Sequence, residues 1–209
     1  MAQKLKDELR QAIIEAAKEE FLQKGYENAS MRSIAAKADI TVGNIYRYFE
    51  NKEDLNRHIL AETSQDMTKI LDSLQINRLS KQPRVFNMKT DPSALSEMMD
   101  ELSYKLVDLY LNQRSEFNII MNDEQMNNKI KNWFAETFSS LIDQPYMAID
   151  LSRERDILSD AYACAAFSGL RDIFMQDEDD GKVLYRIIRT YLRRFVSMVS
   201  EEIRNGNDY

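Results

Sequence analysis

Cysteine and histidine occur once each, at Cys164 and His58, so no disulfide can form within the chain and no ordinary four-ligand zinc site can be assembled from them. A single histidine also leaves little material for hydrolase chemistry. Only three prolines (Pro83, Pro92, Pro145) and five glycines (Gly25, Gly43, Gly169, Gly181, Gly206) interrupt 209 residues, and no strand-type alternation competes with the three-and-four spacing of the apolar residues. The expected fold is all-α. No window approaches the roughly eighteen uncharged residues that a membrane span needs. The opening MAQKLKDELRQAIIEAAKEE has no apolar run of signal-peptide length, so a cytoplasmic location with no membrane partner is expected. The Asn-Ala-Ser sequon at Asn28 is then a chance match.

Basic charge is short as well. The chain carries 28 Lys and Arg against 35 Asp and Glu, a net charge of −7. Residues 1–60 hold ten of each sign, so the whole acidic excess lies beyond them. A protein gripping nucleic acid over its full surface would be basic; any such contact here must be made locally by a few placed residues. With 44% hydrophobic residues, the chain has enough apolar material for a real core.

The first helix is expected from about Leu5 to Lys24, burying Leu5, Leu9, Ile13, Ala16, Ala17 and Phe21, with Gly25 as a left-handed stop. A long helix should begin after the N-cap Asn51, with Glu53 and Asp54 in its first turn, and end near Gln75. Residues 77–91 read as a connection. Asp91-Pro92 opens a helix to about Asn112; a shorter helix is expected near 115–122, and Asp123 and Ser152 cap helices near 124–143 and 153–175. The acidic run Gln176 to Gly181 misses the calcium-loop spacing and reads as a solvated loop before a last helix ending near Arg204.

Ser30 to Leu55, SMRSIAAKADITVGNIYRYFENKEDL, holds two helices of about eight residues, 31–38 and 42–49, too short to stand alone. Packed on the first helix they make a three-helix unit. Ser30 caps the first, whose Ile34 and Ala35 face inward, and the small Ala35 and Ala38 permit close approach. In the second, Ile45, Tyr48 and Phe49 point inward, leaving Val42, Gly43, Asn44, Tyr46 and Arg47 outward. An amide, a guanidinium, a phenol and a methyl-bearing side chain at a helix N-terminal end suit base edges and phosphates in a major groove. That layout describes a helix-turn-helix.

The run Met31-Arg32-Ser33-Ile34-Ala35, the turn Ala38-Asp39-Ile40-Thr41, then Gly43-Asn44-Ile45-Tyr46-Arg47-Tyr48-Phe49 and Asn51-Lys52-Glu53-Asp54-Leu55 resembles the tetracycline-repressor (TetR) family of bacterial regulators over about the first 60 residues. The resemblance implies that Arg32 reaches a base or phosphate, Thr41 caps the recognition helix, Tyr46, Tyr48 and Lys52 hold phosphates, and Val42, Gly43, Asn44 and Arg47 read sequence. Two positions depart from the family pattern: Asp39 replaces a turn glycine, and Val42 stands where a basic residue or proline is common, which suits apolar readout of a thymine methyl.

Two domains are therefore expected: residues 1–50 as the DNA-binding helix-turn-helix and 51–209 as a larger helical domain for sensing and dimerisation. The resemblance implies a homodimer on a palindromic double-stranded DNA operator, built through the last two helices. Candidate interface residues are Ala161, Ala165, Ser168, Gly169, Leu184, Ile188, Tyr191, Leu192 and Phe195. It also implies a small apolar or amphipathic effector, with Met98, Tyr104, Tyr110, Phe117, Trp133, Phe138 and Tyr162 as candidate lining; each also fits plain core packing. No cofactor, metal or catalytic residue is indicated. The expected function is a repressor released from its operator by an effector. The alternatives are a DNA-binding regulator answering to a protein partner or to no effector, and a helical enzyme.

Overall fold

A computed structural model describes residues 2–74, 92–142 and 152–205. Among them the secondary structure is helical, in two compact units. The expected connection at 77–91, the cap Asp91 and the Pro145 region lie outside the described residues.

The first unit takes in residues up to 65 and residues 113–122. It contains α1 (Ala2–Asn28), α2 (Met31–Lys37), α3 (Val42–Ile45), the first part of α4 (Lys52–Ser73) and, from later in the chain, α6 (Arg114–Ile120). Gly25 interrupts α1 at φ 75°, ψ 157°. This is the extended positive-φ region reached almost only by glycine rather than the left-handed helical well expected of a stop. Ile13, Ala16, Ala17 and Phe21 of α1 are buried as expected. Leu5 and Leu9 are not: Leu5 is 69% exposed and Leu9 half-buried. The stripe begins one turn later because α1 packs on α2 and α6, which leaves its first turns uncovered.

Ile34, Ala35, Ile45, Phe49 and Leu55 complete this core together with Phe117 and Ile120 of α6. Phe117 therefore belongs to the core of the first unit. Gln113, just before α6, pairs with buried Thr63 of α4, and Glu116 pairs with Lys18 of α1 at 2.5 Å. The caps follow the sequence closely. Ser30 and Ser33 form a reciprocal capping box, Asn51 accepts from the Asp54 amide at 2.7 Å while Asp54 accepts from the Glu50 amide at 3.2 Å, and Asp123 accepts from the Met126 amide at 2.9 Å.

The second unit holds the end of α4 from residue 66, α5 (Pro92–Asn112), α7 (Glu124–Ile142), α8 (Ser152–Phe174) and α9 (Gly181–Asn205). Helix α5 packs along α9 and α7 along α8. Its interior holds Tyr110, Phe134, Phe138, Phe174, Leu184, Ile188 and Leu192. Trp133 satisfies its indole N–H on the Leu71 carbonyl at 3.0 Å, as a buried donor must. Asp100 of α5 is gripped by Arg193 through two bonds of 2.5 Å and by Arg189 at 2.9 Å. The acidic loop is more than solvated: Asp180 caps α9 by accepting from the amides of Lys182 and Val183, and Asp177, at φ 60°, accepts from the Tyr110 hydroxyl at 3.1 Å.

Candidate nucleic-acid interface

The site is built on a short turn. After α2, Asp39 adopts φ 53°, the left-handed conformation that aspartate tolerates better than most residues, and Ile40 donates its amide to the Ala35 carbonyl at 3.0 Å. Thr41 then accepts the Asn44 amide on its hydroxyl at 3.3 Å and opens α3. The regular part of this helix is only Val42–Ile45, shorter than the expected 42–49. Tighter turns carry the chain on, with the Arg47 amide donating to Asn44 and the amides of Tyr48 and Phe49 both donating to Ile45. So short a helix owes its place to burial: Ile45 and Phe49 are fully enclosed.

The outward face matches the expected one at Val42, Gly43, Tyr46 and Arg47 but not fully at Asn44. Thr41, Val42, Gly43, Tyr46 and Arg47 are exposed, and Asn44 and Tyr48 half-buried. Tyr48 is thus only partly turned inward. A methyl-bearing side chain and an amide lie in the first turn of this capped helix, and the Arg47 guanidinium just past its C-terminal end. Arg32 on α2 is exposed too, and neither Arg32 nor Arg47 has an ion pair among the described residues. Among the described residues, no heavy atom lies within 4 Å of where a Cβ on Gly43 would stand.

Lys52 is placed differently. Its ammonium donates to the carbonyls of Tyr26 at 2.6 Å, Ala29 at 3.0 Å and Glu27 at 3.3 Å, and lies 4.4 Å from the centre of the Tyr26 ring. Between α1 and α2, buried Glu20 of α1 binds Lys24 at 2.6 Å and Lys37 of α2 at 3.3 Å. The bonds from Lys24 and Ser33, with Lys37 beside them, hold its carboxyl down at about 2. Sequence reasoning missed this cross-link, because a glutamate in the Lys18-Glu19-Glu20 run looks like surface charge. His58 is a surface residue of α4, its Nδ1 2.9 Å from the Asp54 carbonyl.

The candidate effector residues do not share one place. Met98, Tyr110, Trp133 and Phe138 are buried in the second unit and Tyr162 is half-buried beside Phe138, with ring centres 6.1 Å apart. Tyr104 is 64% exposed, and Phe117 lies in the first unit. The candidate interface residues divide as well. Ala161, Ala165 and Ser168 are exposed on α8, while Tyr191 and Phe195 are half-buried on α9. Leu184, Ile188 and Leu192 turn inward, covered by their own subunit, because the 3.6-residue period puts Ile187, Tyr191, Phe195 and Met198 on the other side. Gly169 lies directly under the Tyr191 ring, whose hydroxyl donates to the carbonyls of Ala165 and Ala166 at 3.0 and 3.1 Å.

A capped short helix that follows a second helix through a tight turn on a common core has the layout of a helix-turn-helix. Residues 13–59 match the family model described as bacterial regulatory proteins, tetR family. The matched segment takes in α2, the turn and α3. The chain is 32% identical over 101 residues to the Bacillus subtilis (strain 168) protein named Probable HTH-type transcriptional regulator YttP, covering 48% of this chain and 45% of that one. It is 31% identical over 65 residues to the HTH-type transcriptional repressor DhaR of Mycobacterium sp. (strain GP1), covering 31% and 33%. The matched segment thus spans less than half the length of these curated relatives. Among solved structures, a TetR-like regulator from Rhodococcus sp. RHA1 superposes with a TM-score of 0.54 at 14% identity, over 90% of this chain and 96% of the other. NalD of Pseudomonas aeruginosa, described as the secondary repressor of the MexAB-OprM multidrug efflux pump, does so with 0.51 at 22%, over 90% and 96%. These two likenesses establish the fold.

Proposed function

We propose that the protein is a sequence-specific regulator of transcription that binds a palindromic operator in double-stranded DNA as a two-fold dimer and is released from it by a small apolar or amphipathic effector. The observation that carries the reading is the grouping of exposed Val42 and half-buried Asn44 on α3 with exposed Arg47 in the turn just after it, a segment anchored by buried Ile45 and Phe49. Arg32, Tyr46 and Tyr48 flank it for phosphate or base-edge contact, with Thr41 and Gly43 at its start. The test is selection of duplexes from a random library by the full chain, where enrichment of one palindromic sequence is the expected result.

The dimer is supported by the surface of α8 and α9. Ile173, Arg186, Ile187, Thr190, Tyr191, Arg194, Phe195 and Met198 line an open, largely apolar groove of about 620 Å³. Ile157 and Leu158 of α8 add exposed apolar surface, and the small residues Ala161, Ala165 and Ser168 lie on the exposed side of that helix. Bulky residues on one helix and small ones on the other make a self-complementary face of the kind a two-fold axis needs. Tyr110, Trp133 and Phe138, with Met98 and Tyr162, give the second unit the aromatic and apolar interior suited to such an effector. The chain crosses between the two units inside α4 at 65–66 and again at 112–113 and 122–123, so a shift in the second unit has three covalent routes to the first.

A further inference from the structure

We infer that Lys52 sets the orientation of the reading face from within the protein and makes no phosphate contact, although the family resemblance implies one; the inference rests on the DNA-binding reading above. An ammonium has three N–H donors. Those of Lys52 meet three carbonyls, of Tyr26, Glu27 and Ala29, at 2.6, 3.3 and 3.0 Å. The carbonyls converge because Gly25, at φ 75° and ψ 157°, breaks α1 and turns 26–29 back on themselves. The last carbonyls of a helix have spare acceptor capacity, as in Tyr26, whose carbonyl also accepts the Ala29 amide at 3.3 Å, and a cation is the favoured occupant there. The face of the Tyr26 ring, 4.4 Å away, adds a further attraction. Reaching a phosphate would mean abandoning all of these. Arg32 and Arg47, exposed and without an ion pair among the described residues, abandon nothing.

The position of the clamp gives it a purpose. Lys52 is the first residue of α4 and directly follows the cap Asn51, while the carbonyls it binds immediately precede Ser30, the cap of α2. The bond therefore ties both ends of the 30–51 reading segment to one point. Base readout depends on that alignment, whereas non-specific attraction to phosphate does not.

The experiment compares the full chain with its Lys52→Met and Arg32→Ala variants on the duplex selected from a random library and on random duplex, each titrated across a range of salt. Lys52→Met keeps the stem and removes the donors. It is expected to lower affinity for the selected duplex about tenfold, to spare random duplex, and to leave the salt slope unchanged, whereas a lost phosphate contact lowers the slope by about 0.9. In DNA-free wild-type protein, Lys52 is expected to react with an amine-acylating reagent far more slowly than exposed Lys6. That arm holds even where Lys52→Met fails to fold. Reactivity equal to that of Lys6, a slope lowered by about one, or unchanged affinity on the selected duplex each overturns the inference. If the wild type selects no duplex, the DNA-binding reading falls and this role with it; a selected duplex with a lowered slope overturns this role alone.

Discussion

Asn44 and Arg47 are the residues whose loss should be read most directly in DNA sequence. Each substitution to alanine is expected to weaken binding to the selected duplex by about 1–3 kcal/mol and to relax preference at one base position per half-site, as measured by repeating the selection with the variant. Equal losses on selected and random duplex would reduce both residues to phosphate contacts. Glu20 makes a different kind of prediction. Its carboxyl, ordinarily near 4.5, is held at about 2 in the folded protein by hydrogen bonds from Lys24 and Ser33, with Lys37 assisting. A depressed carboxylate stabilises the fold above its unfolded value and ceases to do so as pH falls through the folded one. Wild type should therefore exceed Glu20→Gln in melting temperature at pH 6, with the difference shrinking as pH falls from about 4.5 towards 2. A difference that stays constant across that range would mean that Glu20 contributes by packing alone. Neither its burial nor its partners could be seen in the sequence, because the residues facing Glu20 across α2 are set by how α1 and α2 cross.

At the scale of elements, the sequence was legible wherever a cap or a period decided the structure. Ser30, Asn51 and Asp123 cap the helices they were expected to cap, and Ile34, Ala35, Ile45 and Phe49 face inward. It was less legible where a partner helix decides which part of an apolar stripe is covered. Leu5 is left exposed at the start of α1, and Phe117 is drawn into the first unit although it lies more than fifty residues along the chain from Gln65, where the main part of that unit ends. Gly25 offers a test at this scale. A Cβ there meets nothing within 4 Å, so any cost of Gly25→Ala comes from the backbone. Forcing alanine to φ 75°, ψ 157° should cost about 1–3 kcal/mol in chemical denaturation. A neutral substitution would show that the turn at 25–29 relaxes without loss. Gly169 is the steric counterpart, since a Cβ there runs into the Tyr191 ring and would displace its hydroxyl from the Ala165 and Ala166 carbonyls.

For the whole molecule, the proposed dimer and the proposed release by an effector stand or fall together with the operator. Ile187 is exposed on the groove face of α9, and a charge there should block a partner while leaving the subunit core of Leu184, Ile188 and Leu192 intact. Ile187→Glu is expected to sediment as a folded monomer and to lose at least about a hundredfold in affinity for a palindromic duplex, because two reading helices spaced by roughly 34–36 Å then no longer act as one ligand. Release by an effector requires reciprocity: an effector that lowers operator affinity by a coupling of about 1–3 kcal/mol must itself bind more weakly, by the same factor, when the operator is present. Calorimetric titration of one ligand with and without the operator measures both sides, and identical affinities would exclude that ligand as the inducer. The proposed function depends on the face at 42–47 reading sequence. The most direct measurement is the ratio of affinities for selected and random duplex, determined for the full chain and for an Asn44→Ala, Arg47→Ala double variant at one salt concentration. A ratio of at least about 10³ is expected for the wild type, collapsing by about two orders of magnitude or more in the variant while binding to random duplex changes little. A wild-type ratio near one, or a ratio that survives both substitutions, would contradict the proposed function.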